Sequence, residues 1–200
     1  SSAQAQGLFT EVAEDADIRK DGEKVGGLAW SDFNGDGCLD ALVNTAKDGN
    51  NHRSRLYRQD RDNETFRCEG TFDDVTDDLV DSLDDKHDDE HPVTGRSAIW
   101  GDINNDGHPD FAVNDSNIIR VYLNRGPDGF AFGTDGGDQN PNQAFLSDLN
   151  VEFMAWVDYD GDGVLELITD NSPGSGRGII LFENDGHGNL TRQDNGTADL

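Results

Sequence analysis

The chain has 200 residues, and 42 acidic side chains set against 15 basic ones leave a net charge of −27. A surface this acidic repels phosphate backbones and anionic lipid, which excludes nucleic acid as a partner; no run approaches the ~20 apolar residues that span a bilayer, which excludes membrane insertion by a helix. Only 33% of residues are apolar while Gly numbers 24, so the core is economical and turns are plentiful.

The opening Ser1-Ser-Ala-Gln-Ala-Gln6 lacks the basic end and apolar stretch of a secretory signal, as expected of a chain whose leader is removed or which begins at an arbitrary point. The first patterned segment, Phe9 to Asp15, echoes Phe72 to Asp78. The strand around Phe9 to Val12 is therefore read as the outer strand of a preceding blade.

Three segments then align without gaps: Ala29 to Val43, Ile99 to Val113 and Ala155 to Thr169. Such spacing marks a repeat. In each unit a first strand ends at a Trp (Gly27–Trp30, Ser97–Trp100, Phe153–Trp156), and a second follows an acidic loop (Ala41–Asn44, Phe111–Asn114, Leu167–Asp170). A third begins at Leu56, Val121 or Leu181 and leads into a polar turn; a fourth leaves it (Thr65–Cys68, Phe130–Gly133, Asn189–Arg192). Alternating and β-branched residues punctuated by Gly, Asn and Asp indicate strands, not helices. Four-stranded antiparallel units of this length are blades of a β-propeller. The fold class is all-β, one repeat domain over residues 1–200, with approximate units 19–80, 81–140 and 141–200. Three blades expose apolar faces at both ends, so the set is expected to belong to a larger ring or to be completed by neighbouring subunits.

The acidic loops carry the chemistry. Counted from the first Asp, positions 1, 3, 5 and 9 are Asp32, Asn34, Asp36 and Asp40; Asp102, Asn104, Asp106 and Asp110; and Asp158, Asp160, Asp162 and Glu166. Position 6 is Gly37, Gly107 or Gly163, where a sharp turn needs positive φ. Position 7 offers only its backbone carbonyl, so Cys38, His108 and Val164 can differ there. Calcium takes six to eight oxygens from such coiled loops. Two carboxylates ~5 Å apart repel by roughly 3 kcal/mol at an effective dielectric of ~20, and the loops carry −3, −3 and −4. Three Ca²⁺ sites follow. Magnesium demands a tighter shell and zinc prefers Cys and His. An EF-hand is set aside because position 12 is Val43, Val113 or Thr169 within strands, where that motif needs Glu.

The Trp-x-Asp-x-(Asn/Asp)-x-Asp-Gly-x-x-(Asp/Glu) loops and the turn Leu123-Asn-Arg-Gly-Pro-Asp-Gly-Phe130 resemble the FG-GAP or VCBS repeats of integrin α-subunit heads and of many secreted bacterial proteins. The resemblance implies a calcium ion bridging the first two strands of each blade, an extracellular or cell-surface setting, and adhesion or binding of a protein or glycan ligand on a propeller face. A structural subunit that stacks on copies of itself is the second reading, and part of a polysaccharide-active enzyme the third. No nucleophile motif appears, and the well-placed carboxylates belong to the loops, so the chain reads as a non-enzyme.

Trp30, Trp100 and Trp156 are expected between blades. Cys38 and Cys68 fall within one unit and are compatible with a disulfide. The run Asp73–His91, with ten acids in nineteen residues, reads as a solvated loop.

Overall fold

The computed structural model describes residues 16, 18, 24–46, 54–80, 97–115, 118–132, 145–146, 151–171 and 178–193. The expected strand at Phe9–Val12 and most of the acidic run lie outside the described residues. The strands are β1 (Lys24–Ser31), β2 (Asp40–Ala46), β3 (Arg55–Arg58), β4 (Asp73–Asp74), β5 (Ala98–Gly101), β6 (Asp110–Asp115), β7 (Ile118–Asn124), β8 (Phe130–Phe132), β9 (Phe145–Leu146), β10 (Met154–Val157), β11 (Glu166–Asn171), β12 (Gly178–Asn184) and β13 (Leu190–Arg192). One helical turn, α1 (Thr76–Leu79), follows β4.

These strands form three antiparallel meanders, β1-β2-β3-β4, β5-β6-β7-β8 and β10-β11-β12-β13, with β9 added alongside β7. The register is the same in each blade: Trp30 faces Ala41, Trp100 faces Phe111 and Trp156 faces Leu167. Each acidic loop thus joins the first strand to the second.

Burial along the second strand reports how each blade is covered. In the middle blade Phe111, Ala112 and Val113 are all fully buried, because a neighbouring blade covers each face. In the third blade Leu167 and Thr169 are buried but Ile168 between them is only half-buried, the alternation expected of a sheet with one open face. Ala41, Leu42 and Val43 are again all buried. Leu42 packs toward the second blade, while Ala41 and Val43 join Tyr57, Phe72, Ala16 and Ile18 on the other face.

An aromatic cluster fills the space between the first two blades: Phe33 stacks on Trp100 at 6.2 Å, and Phe111 lies 4.7 Å from Tyr122 and 4.9 Å from Phe130. Such pairs contribute about 0.5–1.5 kcal/mol each beyond their area. Trp156 packs against the second core, with Ile103, Leu123, Leu167 and Phe182. Trp100 and Trp156 therefore sit between blades as expected. Trp30 holds the equivalent register on the corresponding face of the first blade, where no described blade covers it; it is 45% exposed and edge-on to Phe72.

Asparagines bolt the blades together. Asn44 Nδ2 donates to Ser97 O at 2.7 Å and Asn124 Nδ2 to Phe33 O at 2.9 Å across the first interface. Asn114 Nδ2 donates to Val151 O at 2.5 Å and Asn184 Nδ2 to Ile103 O at 2.7 Å across the second. On the open face of the third blade the counterpart of Asn44 and Asn114 is Asp170, whose Oδ1 accepts from Glu152 N and Phe153 N. A carboxylate there has no N–H with which to reach a further blade.

Two strands differ from expectation. β9 lies within the residues read as the third unit but pairs with β7 of the second blade. The fourth strand of the first blade is Asp73–Asp74, paired with Arg58 and Tyr57, and not Thr65–Cys68. Asp62 explains the difference: its side chain accepts from the backbone N–H groups of Glu64 and Thr65, and its own N–H donates to Arg67 O. The chain closes a turn early, forms an arm bridged at Arg61 and Cys68, and only then returns to the sheet. An ion pair from Arg55 to Asp74, at 2.8 Å, fastens the returning strand.

Candidate metal centres

All three loops coil by closely similar hydrogen bonds, the third differing in that Asp158 accepts from position 4 where the other two accept from position 5. In the first, the Asp32 carboxylate accepts from Asp36 N at 3.0 Å and Gly37 N at 2.8 Å, Asn34 Oδ1 accepts from Asp36 N, and Asp36 Oδ1 accepts from Cys38 N at 2.7 Å. In the second, Asp102 accepts from Asp106 N and Gly107 N, and Asp106 from His108 N. In the third, Asp158 accepts from Gly161 N and Gly163 N, and Asp162 from Val164 N. Each side-chain oxygen is turned inward by the next turn of backbone, and the position-6 glycines sit at φ 88°, 88° and 89°. A β-carbon at such φ costs roughly 1–2 kcal/mol, so glycine is the residue the coil requires.

Position 9 closes each loop from below. Asp40 and Asp110 are fully buried at the start of the second strand, and Glu166 is nearly so. Asp40 accepts from Phe33 N at 3.0 Å and Gln59 N at 2.9 Å, Asp110 from Ile103 N at 2.9 Å and Asn124 N at 2.7 Å, and Glu166 from Tyr159 N at 3.2 Å. In the first two blades one carboxylate thereby ties position 2 of the loop to the end of the third strand, while Glu166 holds position 2 of its loop, and each oxygen keeps a lone pair for an ion. Burial pushes the Asp40 carboxyl up to about 6, with Asp36 and Asp32 adding repulsion against the two N–H donors. Burial likewise raises Asp110 to about 7, beside Asp106 and Asp102. Glu166 is also raised, first by desolvation and then by Asp160, Asp162 and Asp158. These are buried acids short of positive charge.

The geometry is tightest in the third loop, where one oxygen each from Asp158, Asp160 and Glu166 lies within 4.8 Å of the others. The first two loops carry Asn34 and Asn104 at position 3, each donating Nδ2 to the following acid (Asp36 at 3.2 Å, Asp106 at 3.0 Å). Reorienting that amide would present its oxygen instead. The side-chain donors are all oxygen, from carboxylates and amides, a set that suits a hard divalent cation.

The loops are also wired to one another, through residues that read in the sequence merely as turn formers. Asn124 and Asn184 each donate both to the previous blade's loop (Phe33 O, Ile103 O) and to their own (Pro109 O, Leu165 O). Their recurrence at the end of the third strand was the available signal. Cys38 and Cys68 form a disulfide with Cα atoms 5.6 Å apart, which fits folding in an oxidising compartment.

Repeated four-stranded blades, each with an oxygen-lined loop between its first two strands, define a propeller-type repeat protein. Residues 32–113 and 102–169 each match the model of the FG-GAP-like repeat, and the chain belongs to that family. Comparison with curated proteins gives no match. FG-GAP repeats generally occur in extracellular adhesion or binding modules and are typically non-enzymatic.

Proposed function

We propose that this chain is a secreted or cell-surface binding module that takes three Ca²⁺ ions, one per blade, and uses them structurally to present loops to a protein or glycan ligand. What carries this reading is the threefold recurrence of one inward-turned coil closed by a buried acid with a raised pKa. When bound, calcium supplies the positive charge that those acids lack. Asp32, Asn34, Asp36 and Asp40 would hold the first ion, with Asp102, Asn104, Asp106 and Asp110 or Asp158, Asp160, Asp162 and Glu166 around the others. The Cys38, His108 and Val164 carbonyls complete the shells. Loop, first strand and third strand then become one rigid unit, and the asparagine bolts pass that rigidity to the next blade.

Titration calorimetry on the chelator-treated protein tests this, with a stoichiometry near three expected and Asp36→Ala removing one site. The stability loss of Asp36→Ala should be seen only when calcium is present. No calcium uptake, or equal melting of Asp36→Ala and parent in saturating calcium, refutes it.

The exposed Leu28 and Trp30 on the first blade and Ile179 on the third favour stacking of copies as the second reading. Asp170 opposes it, because the asparagine bolt used at both internal interfaces is missing there. Light scattering decides: a monomer at all concentrations removes stacking.

A further inference from the structure

The first loop differs from the other two in what surrounds it. In the second and third blades the turn after the third strand is short, closed by Arg125 N to Gly129 O and by Asp185 N to Asn189 O. In the first blade that turn is replaced by the arm running from Asp60 to Gly70, which folds back over the acidic loop.

Three contacts fasten it there, at consecutive loop positions. Arg61 Nη1 donates to Asp36 O at 3.2 Å. Cys68 Sγ lies 3.9 Å from Gly37 O, and Cys68 is bonded to Cys38. The guanidinium is itself held, with Nε donating to Phe66 O at 3.1 Å and its carbon 5.7 Å from the centre of the Phe66 ring. The glycines record the contrast. A β-carbon on Gly37 would meet Arg61 Nη1 at 3.3 Å, whereas on Gly107 or Gly163 it would meet nothing within 4 Å.

We propose that Arg61 and the Cys38–Cys68 bond are positioning groups that hold the first loop coiled in the absence of an ion, while the second and third loops depend on calcium for their shape. The proposal rests on the calcium reading of the loops and adds an order to it. A covalent link at position 7 and a hydrogen bond at position 5 limit how far the loop can splay under its own charge of −3. Such a restraint lowers the conformational cost that binding would otherwise carry. The second and third loops, with charges of −3 and −4, have no covalent link: Asn124 and Asn184 hold them only at position 8, and a single exposed hydrogen bond from Asn105 to Gly163 O, at 3.3 Å, reaches position 6 of the third.

Hydrogen exchange in chelator, read on peptides covering residues 32–40, 102–110 and 158–166, tests this. The three position-6 amides make equivalent bonds, Gly37 to Asp32, Gly107 to Asp102 and Gly163 to Asp158, so their rates compare directly. The first loop should exchange about tenfold or more slowly than the others, a difference typical of local opening equilibria. Arg61→Ala, which leaves the disulfide intact, and Cys68→Ser should each speed it toward the rate of the second loop. Arg61→Lys, which keeps a donor for Asp36 O, should recover part of the protection. Equal exchange of all three loops in chelator overturns the proposal, as does slow exchange of the first loop that survives both Arg61→Ala and Cys68→Ser. Failure of Arg61→Lys to differ from Arg61→Ala overturns the part assigned to the guanidinium. If calcium slows none of the loops, the calcium reading fails, yet the comparison in chelator still decides what the arm does.

Discussion

Chelating calcium should invert the usual preference of a folded protein for neutral pH, and Asp110 is where the size of the effect can be worked out. Its carboxyl is raised from an ordinary 3.8 to about 7 in the folded chain. A raised carboxyl in the folded state leaves stability intact below pH 3.8, erodes it as pH rises, and takes its full toll above the folded pKa. Between pH 5 and pH 8 the proton linkage for a shift from 3.8 to about 7 amounts to roughly 2–3 kcal/mol of stability lost at the higher pH. For a chain of 200 residues that is on the order of 5–10 °C in melting temperature. Asp40, raised to about 6, acts in the same direction. Differential scanning calorimetry in chelator at the two pH values reads the total, and Asp110→Asn isolates the residue, since it removes the titration while keeping the side chain's size. The variant melts lower overall, because one of two acceptor oxygens is lost, but the difference between pH 5 and pH 8 should shrink by about 2–3 kcal/mol. Saturating calcium at pH 8 should abolish the inversion, because the ion binds the ionised form and competes with protons. A pH difference in chelator that is the same for Asp110→Asn and the parent refutes the reasoning.

Reducing the disulfide frees a loop whose ends are 30 residues apart, which on the chain-entropy view costs about 3.6 kcal/mol; an unchanged melting temperature with both thiols titrated as free contradicts this. Asn114→Asp should destabilise by about 3 kcal/mol in urea titrations, because it buries a carboxylate opposite the Val151 carbonyl, whereas Asp170→Asn on the open face should stay within about 0.5 kcal/mol. Gly126 and Gly129 both have positive φ, but a β-carbon on Gly126 meets nothing while one on Gly129 falls on the Leu79 backbone. Gly126→Ala should cost about 1 kcal/mol and Gly129→Ala at least about 3 kcal/mol; equal costs would show that the Leu79 turn yields.

Much of this architecture was legible because repeats print the same local physics several times. The oxygen-bearing side chains at positions 1, 3 and 5 stand two apart since a coil turns alternate side chains inward, and position 6 is Gly since φ there is positive. Those are short-range demands, and the residues that meet them lie within nine of one another. The first blade broke the pattern where its third strand runs into Asp60 to Gly70: the polar turn looked like the others, but Asp62 closes it early and the true fourth strand is eight residues further on. The two cysteines were visible, but only the arm's return over the loop brings Cys68 to Cys38.

Local periodicity thus determined the strands, the blade repeat and the oxygen-bearing positions, because each depends on neighbours in the chain. The tertiary structure alone decided that Asn44, Asn114, Asn124 and Asn184 act as bolts, that Trp100 and Trp156 are covered by the preceding blade, and that Asp40 and Asp110 titrate far from an ordinary carboxyl. Each of those outcomes depends on which distant backbone carbonyl, ring or apolar wall comes to lie against the side chain, and that is set by how the blades pack.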